Sequence, residues 1–83
     1  MKVKGTIAAA NLYIGRYVVR SPAGYLVMDL MQGELSLRDE VSFDPQHLGP
    51  VYLINHTTGE PVEVCVEALL STLRAAVALA ESR

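Results

Sequence analysis

The sequence has no tryptophan, one cysteine and one phenylalanine. A single cysteine excludes an intramolecular disulfide and fits a reducing cytoplasm. No apolar run approaches the roughly 20 residues of a membrane span; within the C-terminal segment the longest, Ala75 to Ala80, falls far short. Met1-Lys2-Val3-Lys4 has the charge of a secretory start, but the apolar stretch Gly5 to Ala10 is too short for one and gives way to strand-like sequence. A cytoplasmic protein without membrane contact is expected. Metal-ligand spacing is also missing: Asp39, Glu40 and Asp44 with His47 match neither a calcium loop nor a zinc pattern. We expect a solvated acidic loop there, with no metal and no cofactor.

What is present is apolar. Hydrophobic residues make up 51% of only 83 residues, which is one domain over 1–83 with no room for a second core. A chain of this size buries roughly 60% of the surface its unfolded form exposes, a marginal core. Burial against a partner subunit is the usual remedy. Net charge is only −2 but unevenly placed: four bases and no acid through Met28, then eight acids and one base, Arg38, from Asp29 to Glu67. An acidic middle argues against a broad phosphate-binding surface.

In chain order, Met1 to Ala9 alternates as a half-buried strand. Ala10-Asn11 reads as a turn and Leu12 to Arg20 as a second strand, with Tyr13, Tyr17 and Val19 on one face, Arg16 and Arg20 on the other, and a bulge at Gly15. Ser21-Pro22-Ala23-Gly24 is a turn closing a hairpin 12–20/25–31. Gln32 to Arg38 fits either a short strand or a loop packing Leu35 and Leu37 beneath the sheet. Asp39 to Asp44 is a short strand. Val51 to Asn55, apolar on both faces, reads as a central strand or one covered by a helix. His56-Thr57-Thr58-Gly59-Glu60 has turn chemistry, with a ligand-contacting loop as its alternative.

After Val66 the period changes from 2 to 3.6, and a helix is predicted over about 67–81, with the strands lying within 1–66. Its apolar residues cover more than the ~100° stripe that packing on one sheet requires. This predicts a homodimer through the C-terminal helix, with Leu69, Leu73, Ala76, Leu79 and Ala80 at the oligomer interface. The expected core comprises Val3, Ile7, Tyr17, Val19, Leu26, Met28, Leu30, Val41, Phe43, Leu53, Val62, Val64, Leu69, Leu70, Leu73 and Val77.

Two chemistries have candidate residues. Tyr13 and Tyr17 beside Arg16 and Arg20 have the composition of a single-stranded nucleic-acid face, aromatics for stacking and bases for phosphates. The same aromatics would equally fill a tryptophan-free core. Cys65 with His56 or His47 is the one conceivable nucleophile pair, with Cys65 and His56 the choice for a small-molecule hydrolase, but no triad spacing or glycine elbow supports it. No catalytic residue is assigned.

Asp39-Glu40-Val41, Leu48-Gly49, Leu53, Asn55, Thr57, Gly59-Glu60, Val64 and Val66, with an early Gly5-Thr6-Ile7, resemble a pattern in small uncharacterised bacterial β-barrel proteins. The likeness covers about half the chain, is similar also to products of mobile gene cassettes, and departs from the pattern at Arg38, where glycine is usual. It implies an oligonucleotide-binding-like or SH3-like barrel and carries no catalytic residue. The expected fold is α+β: a strongly bent antiparallel sheet of five or six strands, or a small open barrel, followed by one C-terminal helix. The expected function is a non-enzymatic homo-oligomeric binding or adaptor domain with an unknown protein or small-molecule partner.

Overall fold

A computed structural model of the chain describes residues 2–81, so Met1 of the expected first strand lies outside it. Six strands, β1 (Val3–Asn11), β2 (Arg16–Ser21), β3 (Gly24–Gln32), β4 (Glu40–Phe43), β5 (Gly49–Asn55) and β6 (Glu60–Leu70), precede one helix, α1 (Leu73–Glu81). All neighbouring strands are antiparallel. Their order, β1-β2-β3-β6-β5-β4, closes because β4 pairs back with β1. The expected α+β barrel-and-helix fold is present in its closed form.

Closure requires strands to bend and approach. Register shifts between Ile7 and Ala9 where β1 pairs β2, and at Val27/Met28 and Leu30/Gln32 where β3 pairs β6, supply the bends. At Gly5 a side chain would meet Val19 Cγ1 at 2.5 Å and the Arg20 carbonyl at 2.8 Å, so only glycine lets β1 pass this close to β2. Inward residues alternate as the period-2 pattern requires: Ile7, Tyr17, Val19, Met28, Phe43 and Val64 are all buried inside the barrel. Leu35, from the long β3–β4 loop, plugs one end, while Leu37 of the same loop stays exposed. Gln32–Arg38 is thus mostly loop, packing one leucine rather than two.

The helix begins later than its composition suggests. Glu67 to Leu70 continues β6, paired with the start of β3 through Leu69–Leu26 and Leu70–Tyr25. Ala68-Leu69-Leu70 suits either period, and the cross-strand hydrogen bonds decide it. The cap is Thr72: its hydroxyl oxygen accepts from the Ala75 amide at 3.1 Å, and its carbonyl from Ala76. Leu69 and Leu70 therefore pack from a strand, half-buried, and Leu73 at the helix entry is 42% exposed rather than core.

Because the end of β6 lies against β3, the chain folds back over β3 and β2. Val18 and Val27 on their outer faces form a second apolar layer with Ala76 and Ala80 of α1. The doubly covered strands are β2 and β3. β5, expected to be covered, instead exposes Tyr52 and Ile54 to solvent because the helix never reaches it. The far end of α1 is tied down from the barrel. Arg16 Nη1 donates to the Leu79 carbonyl at 3.1 Å and Asn11 Nδ2 to that of Ala80 at 3.0 Å, so β1 and β2 satisfy carbonyls at the helix C-terminus. With no base in the helix's own last turn, Arg16 also places positive charge at its negative end.

The first turn differs from expectation too. β1 runs on to Asn11, and Leu12–Gly15 forms the turn, so β2 starts only at Arg16. Asn11 dictates this: its Oδ1 accepts from the Tyr13 amide at 3.1 Å and its carbonyl from Ile14 at 3.3 Å. Gly15 exits in the left-handed region at φ 70°, and the bulge expected there falls instead at Ile7/Ala9.

Candidate functional site

Antiparallel alternation brings three connections to one end of the barrel: Leu12–Gly15, Gly33–Asp39 and His56–Gly59. A buried polar knot locks two of them together. Asn55, fully buried at the end of β5, donates from Nδ2 to Asp39 Oδ2 at 2.8 Å and to the Glu34 carbonyl at 3.4 Å. Its Oδ1 accepts from the Thr57 and Thr58 amides. Asp39 Oδ2 also accepts from Ser36 N, and the Thr57 hydroxyl oxygen accepts from Glu40 N. Polar groups buried this way hold loops only when all are satisfied, and no buried side-chain polar atom among the described residues is left unpaired. Arg38 sits inside this knot at φ 73°, the left-handed conformation that glycine adopts without penalty. An arginine in this conformation costs strain.

Beside the knot, the loop end opens into an apolar groove of about 440 Å³ lined by Ala10, Leu12, Tyr17, Leu35, Ser36 and Leu37. Tyr17 and Leu35 form its floor, the Tyr17 hydroxyl donating to the Leu35 carbonyl at 3.3 Å. The lip is unusually apolar: Leu12 is 77% exposed, Tyr13 92% and Leu37 58%, with Ile14 and Met31 also open at this end. The Leu30 amide bonds to the Gly15 carbonyl at 2.7 Å, which fixes the Leu12–Gly15 turn against the end of β3. Two smaller depressions near the same end, of about 300 and 190 Å³, are walled by Glu60, Pro61 and either Glu63 or Glu34. A pocket that is mostly apolar with few polar groups has the general character of a binding site; the acid-walled pair lacks it.

The residues singled out from the sequence do not assemble as expected. Tyr13, Arg16, Tyr17 and Arg20 share no face. Tyr13 stands at a turn tip, Tyr17 points into the barrel, and the outer face of β2 between Arg16 and Arg20 is occupied by α1 through Val18. Arg16 is committed to Asp29, with Nε at 2.6 Å from one carboxylate oxygen and Nη2 at 3.1 Å from the other. That bond holds the Asp29 carboxyl below the usual carboxylate range.

Of the expected interface residues, Ala76 and Ala80 are buried on the chain's own barrel, with Leu79 half-buried beside them, and Leu69 packs from β6. Only Leu73 is open. The apolar face that looked surplus belongs largely to β6 and to the contact of α1 with Val18 and Val27. Cys65 pairs across from Pro50, six positions along β5 from His56, a separation of about 20 Å along the strand. Partial burial and then the negative charge of Glu67 push the Cys65 thiol up, away from the reactive thiolate. His56 Nε2 lies 2.6 Å from the Ser42 hydroxyl oxygen, on a different part of the barrel wall. Asp39 is engaged in the knot and Asp44 Oδ1 accepts from Gln46 N; no group of His, Cys, Asp and Glu among the described residues is arranged to hold a metal. No helix among them is long and apolar enough to cross a membrane.

Sequence reasoning missed Leu12, Leu37 and the pairing of Asp39 with Asn55. The available signal was the Asn11–Gly15 turn composition, which would have moved Leu12 and Tyr13 out of a strand and onto a turn. No protein-family model, curated protein or solved structure matches the chain.

Proposed function

We propose that the protein is a small non-enzymatic binding or adaptor domain that works as a homo-oligomer. The observation that carries this reading is the apolar surface left uncovered at the loop end, where Leu12, Tyr13, Met31 and Leu37 are more than half exposed. The largest apolar patch on a small domain is often an interaction site. The marginal core expected of 83 residues supports the same conclusion. The separation of Cys65 from His56 and the raised thiol speak for binding rather than nucleophilic chemistry. The single cysteine supports a cytoplasmic setting, and the resemblance to small bacterial barrels of the oligonucleotide-binding-like or SH3-like kind agrees with a binding role. Sedimentation equilibrium tests the reading: an assembly at micromolar concentration is expected, and a chain that stays monomeric contradicts it.

A further inference from the structure

We infer that two copies associate through the loop end of the barrel about a two-fold axis, each placing Tyr13 in the apolar groove of the other. The inference rests on the assembly reading above and specifies its surface. A two-fold contact needs one patch that is complementary to itself, and this end carries both halves. Tyr13 is 92% exposed and so touches almost nothing in its own chain, while its neighbour Leu12 forms one wall of a groove of about 440 Å³ that its own chain does not fill.

Three further observations favour a second copy as the occupant. The first is area. At the 150–250 Å² an aromatic side chain buries, and somewhat less for aliphatic ones, the exposed parts of Leu12, Tyr13, Ile14, Met31 and Leu37 make a patch on the order of 600 Å². A standard interface takes about 800 Å² per partner, so this patch supplies the greater part of one partner's share. The second is preorganisation. Asn11 bonds to the Tyr13 and Ile14 amides, and Gly15 to Leu30, so Tyr13 is presented on a fixed turn and little freedom remains to be lost on docking. The third is charge. Glu34 and Arg38, opposite in sign and both exposed, lie on the same loop as Leu35 and Leu37, and neither forms an ion pair among the described residues. Opposite charges on one self-facing loop would let Glu34 of one copy pair with Arg38 of the other, which would fix register.

Sedimentation of four versions of the full chain decides the matter: wild type, Tyr13→Ala, Leu37→Glu and, as a control on α1, Leu73→Glu. All three substituted positions are exposed, so circular dichroism should show the folded spectrum of the wild type, any fall in melting temperature being confined to the variants that lose the dimer. The expected result is a wild-type dimer whose dissociation constant rises about tenfold or more with Tyr13→Ala, as for an aromatic anchor. Leu37→Glu should be monomeric and Leu73→Glu should dimerise like wild type. A dimer that survives both loop-end substitutions, or that is lost with Leu73→Glu alone, overturns the surface but leaves assembly standing. A wild-type monomer overturns both.

Discussion

The two sides of the barrel treat apolar residues in opposite ways. On the β2–β3 side, Val18 and Val27 point outward yet are wholly buried, because α1 lays Ala76 and Ala80 over them and Arg16 and Asn11 bind its final carbonyls. At the loop end, Leu12, Tyr13 and Leu37 point outward and nothing among the described residues covers them. The first side shows what this fold does with an outward apolar face that serves stability: it is capped, hydrogen-bonded and dry. The second has the ordered turns of a finished structure without the cover. That difference is why the proposed binding surface is placed at the loop end, whereas α1 keeps Leu73 as its one large apolar residue in the open.

The comparison can be broken at either side. The largest effect is expected for Ala76→Glu, which puts a carboxylate between Val18 and Val27 at a position with no exposed surface; a loss of about 4 kcal/mol in urea denaturation, or outright unfolding, should follow. Next is Asn55→Ala. It removes both Nδ2 bonds, leaves the Asp39 carboxylate with the Ser36 amide alone and frees the Thr57 and Thr58 amides, for about 3 kcal/mol of destabilisation by the same measurement.

Acid should act on the covered side. Asp29 has a lower pKa folded than unfolded, so its contribution is fully present above the unfolded carboxylate value and is lost as pH falls through the folded one. Thermal melts should therefore show a drop in stability below about pH 4 that is smaller in Arg16→Ala, which itself costs about 2 kcal/mol at neutral pH. The smallest effect has the opposite sign. Arg38→Gly relieves a left-handed non-glycine residue and should raise stability by about 0.5–1 kcal/mol, offset in part by greater freedom of the unfolded chain.

Alternation made the barrel wall legible. Val62, Val64 and Val66, or Leu26, Met28 and Leu30, could face only one way, and the hairpin at Ser21–Gly24 followed from turn chemistry. Closure was not legible, since the pairing of β1 with β4 joins residues some 35 positions apart that carry no local sign of each other. The start of α1 was hidden because Ala68-Leu69-Leu70 satisfies both periods, and Thr72 reads as a cap only once β6 is known to run to Leu70. The candidate site was the least visible part. Leu12 and Tyr13 read as the start of a strand, and Asn55 as the end of one until Asp39 is brought to it.

The most direct measurement of the central claim is an NMR dilution series on the wild-type chain, following backbone amide shifts from millimolar to low micromolar concentration. The account predicts concentration-dependent shifts at Leu12–Gly15 and Leu35–Arg38, with α1 unmoved. Shifts confined to α1, or a spectrum that does not change on dilution, would contradict it.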